Sequence, residues 1–272
     1  MSITRHKVSR IAKVFERSRS QGCIALMPYL AIGYPDVETT LALAPALVEA
    51  GADIFELGIP YSDPLADGAT IQRATQVALR NGVTSKVCLE VAAEIRRQVD
   101  VPLLLMGYYN PIVHFGQEQF CAAAKQAGVD GLIVPDVPPE EAGELQMAAT
   151  ANQLDLIYLV APTSTNERLV TVARVAHGFV YCVSLSGVTG ARSRLSVGLP
   201  EYLARVRRFT DLPLAVGFGI SRAEHVREVA RHADGAIVAS ALIDHLDRLP
   251  REQKVAGAAA YIRELAGSTA RP

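Results

Sequence analysis

Eight short apolar runs, each followed by a longer helical pattern, constrain this chain more than any other feature of its sequence. The runs are IALMPYL (Ile24 to Leu30), DIFELG (Asp53 to Gly58), PLLLMG (Pro102 to Gly107), GLIVPD (Gly131 to Asp136), LIYLVA (Leu156 to Ala161), FVYCVS (Phe179 to Ser184), LPLAVG (Leu212 to Gly217) and GAIVAS (Gly235 to Ser240). The helical stretches are TLALAPALVEAG, KVCLEVAAEIRRQ, QFCAAAKQAG, EEAGELQMAATA, ERLVTVARVA, LPEYLARVRRF, RAEHVREVARHA and EQKVAGAAAYIRELAG. Such alternation gives parallel strands joined by crossover helices. An open sheet would leave edge strands, yet all eight runs read as buried. The pattern therefore predicts one closed (β/α)8 TIM barrel over residues 1–272.

A weak repeat supports the count. EAGAD (Glu49 to Asp53), QAGVD (Gln126 to Asp130) and RHADG (Arg231 to Gly235) each end a helix and enter a strand through an acid. DVPLLL and DLPLAV both put proline at a strand start, where no ladder donor is lost. Ahead of the first strand, a short helix over Ser9 to Arg17 is expected to lay Ile11, Val14 and Phe15 on the body of the domain.

Lys+Arg 27 against Asp+Glu 28 leaves a formal net charge of −1, which gives no footing for nucleic acid or an anionic membrane as main partner. A small-molecule role is the expectation. No run is long enough to span a membrane, and the basic stretch MSITRHKVSRIAKVFERSRS lacks the apolar centre of a secretory signal. Cys23, Cys88, Cys121 and Cys182 are far apart in sequence and read as apolar residues in a reducing cytoplasm.

In a (β/α)8 barrel the chemistry sits on the loops that leave the C-terminal ends of the strands. The second strand ends at Glu56, followed by Asp63 and Asp67 on a loop stiffened by Pro60 and Pro64. Asp63 and Asp67 have turn and capping roles open to them. Glu56 is different, because an acid inside an apolar strand is costly to bury unless it faces the barrel mouth and works there. Desolvation is expected to raise its pKa into the range useful for a general acid or base. The last strand ends, SLSGVTGARS, VGFGIS and IVASAL, are rich in small residues, and those after strands 7 and 8 run at once into helix starts, which suits phosphate. GVTGARS also reads as a mobile lid. No lysine ends a strand, so a Schiff base has no evident nucleophile. The six histidines form no metal-spaced cluster with acids, although His114 follows the third strand. Carboxylate acid–base catalysis on a phosphorylated substrate remains.

At RIAKVF, FELGIPYSDPLADG, LMGYYNPI, GVDGLIVPDVPPEE, YLVAPTST, FVYCVSLSGVTGAR and VGFGIS the chain resembles the tryptophan synthase α subunit family, over almost its whole length. The resemblance implies retro-aldol cleavage of indole-3-glycerol phosphate to indole and glyceraldehyde 3-phosphate. It implies no cofactor in this chain and a separate pyridoxal-phosphate β subunit as partner, in an α2β2 heterotetramer. By the same resemblance Glu56 is the proton carrier and Asp67 the acid that holds the indole N–H. Thr189 is the lid residue meeting Asp67, and Gly190, Gly219, Ala239 and Ser240 form the phosphate cradle. Tyr29, Tyr108, Tyr181 and Phe218 line the pocket. Loop GIPYSDP and segment LMGYYNPI match surfaces that meet the β subunit. Three positions depart from the usual family pattern: Ala31 stands for threonine, Ala69 for proline and Ala239 for glycine. Ala239 would crowd the phosphate if its backbone needed positive φ. A free-standing lyase that releases indole, and a catalytically idle barrel kept as an allosteric partner, are the alternative readings.

Overall fold

The computed structural model describes residues 9–183, 198–217 and 219–272. Eight parallel strands close into a barrel in sequence order: β1 (Ala25–Ala31), β2 (Phe55–Gly58), β3 (Leu103–Met106), β4 (Gly131–Ile133), β5 (Asp155–Val160), β6 (Val180–Val183), β7 (Leu214–Gly217) and β8 (Gly235–Val238). β8 pairs back onto β1, with Ala25 opposite Gly235 and Pro28 opposite Val238. Around the barrel run α1 (Arg10–Ser20), α2 (Val37–Glu49), α3 (Ala69–Arg80), α4 (Ser85–Gln98), α5 (Tyr109–Phe115), α6 (Gln117–Gln126), α7 (Gly143–Ala151), α8 (Asn166–Val175), α9 (Leu199–Arg207), α10 (Ala223–Ala230), α11 (Ser240–Asp247) and α12 (Lys254–Ala266). The expected barrel is what the chain forms.

Alternation within the strands divides the apolar residues between two layers. Leu26, Phe55, Leu57, Leu103, Leu105, Val180 and Val216 face outward and bury the helices. Met27, Ile54, Leu104, Ile133, Ile157, Ala215 and Ile237 face inward. Helix α1 closes that inner layer, because Ile11, Val14 and Phe15 join it and Phe15 meets Phe179 at 5.6 Å between ring centroids. Its N-cap is Ser9, whose hydroxyl accepts the Ala12 amide at 3.1 Å. The helix runs on to Ser20, beyond the expected Arg17.

The acids of the sequence repeat share one mechanical task. At the helix-to-strand turns Asp53 Oδ2 accepts the Leu26 amide at 2.9 Å, Asp130 Oδ2 the Leu103 amide at 3.0 Å and Asp234 Oδ2 the Leu214 amide at 2.9 Å. The entries to β2, β4 and β8 thus tie down the starts of β1, β3 and β7. Arginines pair with the same carboxylates: Arg17 with Asp53, Arg10 and Arg96 with Asp130, Arg207 and Arg271 with Asp234. A buried carboxylate is stable only with such partners.

Three helices, α3, α5 and α11, are additional to the eight patterns the sequence displays. Their caps are Gly68, Tyr108 and Ala239, none of which makes a side-chain cap bond. All three begin at the C-terminal ends of strand units, beside the residues of chemical interest.

Candidate active site

Glu56 lies on β2 between two outward residues, Phe55 and Leu57, so its side chain points into the barrel. It stands in register with Tyr29 on one side and Leu104 on the other. Only 1% of it is exposed, and Oε2 has no hydrogen-bond partner among the described residues. Burial, followed by repulsion from Asp67, pushes its carboxyl up to about 8. At neutral pH Glu56 therefore holds its proton.

Asp67 sits on the β2–α3 loop, in a turn closed by its amide on Pro64 O at 3.0 Å. Gln72 Nε2 donates to its carbonyl at 2.9 Å, so the first turn of α3 grips the loop. Desolvation raises its carboxyl to about 6, opposed by a hydrogen bond from the Tyr108 hydroxyl. That hydroxyl also accepts the Ala66 amide at 2.9 Å. Asp63 is exposed and paired with its neighbour Ser62, which leaves it as a turn residue. Ala69 is the first residue of α3, and Ala31 is buried beside Tyr29.

Three of the expected pocket residues come together here. Tyr29 and Tyr181 are buried, and both phenols are raised well above their usual range, first by burial and then by the charges of Glu56 and Asp67. Tyr108 is raised by burial and by Asp67, and its ring lies 5.3 Å from that of Tyr61. Two glycines that the sequence reading did not single out make this crowding possible. A Cβ on Gly58 would overlap the Tyr29 hydroxyl, and one on Gly217 the Tyr181 hydroxyl. Glycine as the last residue of an apolar run, as in FELG and LAVG, is the signal for them.

Of the proposed phosphate cradle, Gly219 has φ +80°, which glycine adopts without strain. Ser240 opens α11, a helix start with no side-chain cap bond. Ala239 has φ −113°, so the position does not require glycine and the expected crowding does not arise from its backbone. Thr189, Gly190, Phe218 and the lid loop GVTGARS lie outside the described residues. His114 is exposed and lines an outer groove of about 470 Å³ with Tyr61, Thr84, Lys86, Asn110 and Phe115. Among the described residues no three His, Cys, Asp or Glu side chains gather as a metal-holding group.

A closed barrel with one buried carboxyl on a strand and a half-buried one of different acidity on the loop that follows defines an enzyme of the acid–base type. Residues 15–269 match the family model described as tryptophan synthase alpha chain. The chain is 59% identical over 266 residues to the tryptophan synthase alpha chain of Chloroflexus aurantiacus, covering 97% of this chain and 100% of that one. Against that of Roseiflexus sp. (strain RS-1) it is 55% identical over 261 residues, with coverage of 96% and 100%. Among solved structures, tryptophan synthase from Mycobacterium tuberculosis superposes with a TM-score of 0.90 at 40% identity, covering 98% of this chain and 100% of that one. Tryptophan synthase subunit alpha from Legionella pneumophila gives 0.88 at 35%, with coverage of 97% and 99%. The chain belongs to the tryptophan synthase alpha chain family. It is a carbon–carbon lyase of tryptophan biosynthesis, cleaving indole-3-glycerol phosphate to indole and glyceraldehyde 3-phosphate.

Proposed function

We propose that Glu56 and Asp67 perform the cleavage between them. The observation that carries this reading is the split in acidity, about 8 for Glu56 against about 6 for Asp67, between two carboxyls, with Glu56 feeling the charge of Asp67. Two carboxyls pushed apart in this way divide naturally into an acid and a carboxylate.

Glu56 as the neutral acid delivers its proton to C3 of the indole ring. The ring becomes a cation whose N–H is now acidic, and the Asp67 carboxylate accepts that N–H and balances the charge. Glu56, left as carboxylate, takes the proton from the side-chain hydroxyl next to the breaking bond. The C–C bond electrons return to the ring, releasing indole and the aldehyde and restoring Glu56 to its acid form. No net oxidation occurs, and nothing in the sequence of steps calls on a cofactor in this chain. Gly219, Ala239 and Ser240 hold the phosphate through backbone N–H groups. Tyr29, Tyr108 and Tyr181 line the pocket.

Glu56→Gln keeps the volume and removes the proton carrier, so turnover is expected to fall by roughly 10²–10⁴-fold. Asp67→Asn is expected to be severely impaired as well. A near-normal rate in either variant, measured as indole released by a folded chain, sinks the assignment.

The reading extends to a separate β subunit that carries pyridoxal phosphate and consumes the indole in an α2β2 assembly in the cytoplasm. Support comes from the groove of Tyr61, Asn110, Pro111, His114 and Phe115, flanked by the exposed Leu65 and Val113. An apolar, aromatic rim beside the active-site loop suits a partner that must sense that loop. No described helix is long and apolar enough to cross a membrane. Co-purification with a β-type chain, and turnover raised by it, tests the pairing. Fast turnover unchanged by the partner would favour a free-standing lyase.

A further inference from the structure

Two helices leave the site from its opposite ends, and one arginine joins them. Helix α3 begins two residues after Asp67, and α11 begins at Ser240. Arg73 of α3 reaches across to α11, where its Nη2 is 3.2 Å from Asp244 Oδ1 and closer still to Asp247. Thr70, one turn earlier, donates to the same Asp244 oxygen at 3.1 Å. Tyr34, from the loop after β1, donates its hydroxyl to Asp247. Beneath this polar bridge Ile71 and Ala74 of α3 and Ile243 of α11 pack with Tyr29, Ala31 and Tyr34.

Stability does not explain the bridge. Arg73 is 49% exposed, Asp244 37% and Asp247 29%, and ion pairs this open contribute little to folding. What they fix is geometry. Asp244 and Asp247 lie on one face of α11, and a single guanidinium that bonds both limits sliding as well as separation. The two helices it joins start at the residues that would hold the two ends of the substrate.

We propose that Arg73, with Asp244 and Asp247, is a positioning clamp that sets the spacing between the acid at the ring nitrogen and the cradle at the phosphate. The proposal rests on the roles given above to Asp67 and to Ala239 and Ser240. Intact substrate spans both ends, and its reaction depends on their relative placement. Half-ligands touch only one end each and are indifferent to the spacing.

The test uses the full chain with Arg73→Gln. Calorimetric titration with indole and, separately, with glycerol 3-phosphate is expected to give wild-type affinities and one site per chain. Turnover of intact indole-3-glycerol phosphate is expected to fall about tenfold in kcat, and Arg73→Lys, which keeps a charge between the two aspartates, to restore most of it. Wild-type kcat in Arg73→Gln overturns the clamp. So does a loss matched by weaker half-ligand binding or lower stoichiometry, which marks a merely structural role. Asp67→Asn is the control: it must weaken indole and spare glycerol 3-phosphate. Unaltered indole binding there refutes the role of Asp67 itself, and the clamp falls with it.

Discussion

The Tyr108 hydroxyl grips the Asp67 loop twice, accepting the Ala66 amide at 2.9 Å and donating to the Asp67 carboxylate. Tyr108 caps α5, so the acid of the second barrel unit is set in place by the third. Tyr108→Phe keeps the ring against Tyr61 and removes both bonds. A hydrogen bond to a charged group contributes about 1.5–3 kcal/mol, so kcat/KM is expected to fall roughly tenfold to a hundredfold. Because that bond lowers the Asp67 pKa, the acid limb of the pH profile should move upward in the variant. Steady-state kinetics across pH checks both, and an unmoved limb would detach Tyr108 from Asp67.

In the proposed mechanism the productive state has Glu56 protonated and Asp67 ionised. It is populated between about 6 and about 8, which predicts a bell-shaped kcat/KM with limbs near those values. The limbs belong to the pair, since each charge opposes the other. Asp67→Asn removes the repulsion on Glu56 and should draw the alkaline limb of the residual activity to lower pH. A limb that stays put would mean that burial alone sets the acidity of Glu56.

Folding raises the Glu56 carboxyl from 4.5 to about 8, so between those values the native chain holds a proton that the unfolded chain has lost. Stability must therefore fall as pH rises through this window, being least affected below 4.5. The effect is on the order of a few kcal/mol for a shift of this size. Urea unfolding at the two ends of the window should show wild type losing more stability toward alkaline pH than Glu56→Gln. Parallel pH dependence in the two proteins would contradict the burial of an ionisable Glu56.

The barrel was legible because continuous apolar runs and helical patterns alternate eight times, and because acids such as Asp53, Asp130 and Asp234 mark the turns. Helices α2, α4 and α8 announce themselves through Asp36, Thr84 and Thr165, whose side chains accept an amide of the first turn. Helices α3, α5 and α11 carry no such mark at Gly68, Tyr108 and Ala239; neither do α6, α7, α9, α10 and α12, which their apolar patterns alone reveal. For α11 the reason is consistent with function, because a side chain that satisfied those N–H groups would compete with phosphate. Glu56 was legible from the cost of burying it. The Arg73 clamp was not, because its partners lie 171 and 174 positions away and no local pattern joins them.

Gly217 and Gly235 separate the active end of the barrel from its structural end. A Cβ on Gly217 would overlap the Tyr181 ring and hydroxyl, which feel the charges of Glu56 and Asp67. A Cβ on Gly235 would meet Phe15 and Ala215 at 3.2 Å, in the layer closed by α1. Overpacking of this kind costs about 1–3 kcal/mol, so both alanine variants should unfold at lower urea. Only Gly217→Ala should also disturb catalysis, since Tyr181 must turn to make room and the pocket around Glu56 changes shape with it. The prediction is a raised KM and a shifted pH profile for Gly217→Ala, against wild-type kinetics for folded Gly235→Ala. Equal kinetics in the two variants would mean that Tyr181 packs in the barrel without shaping the site.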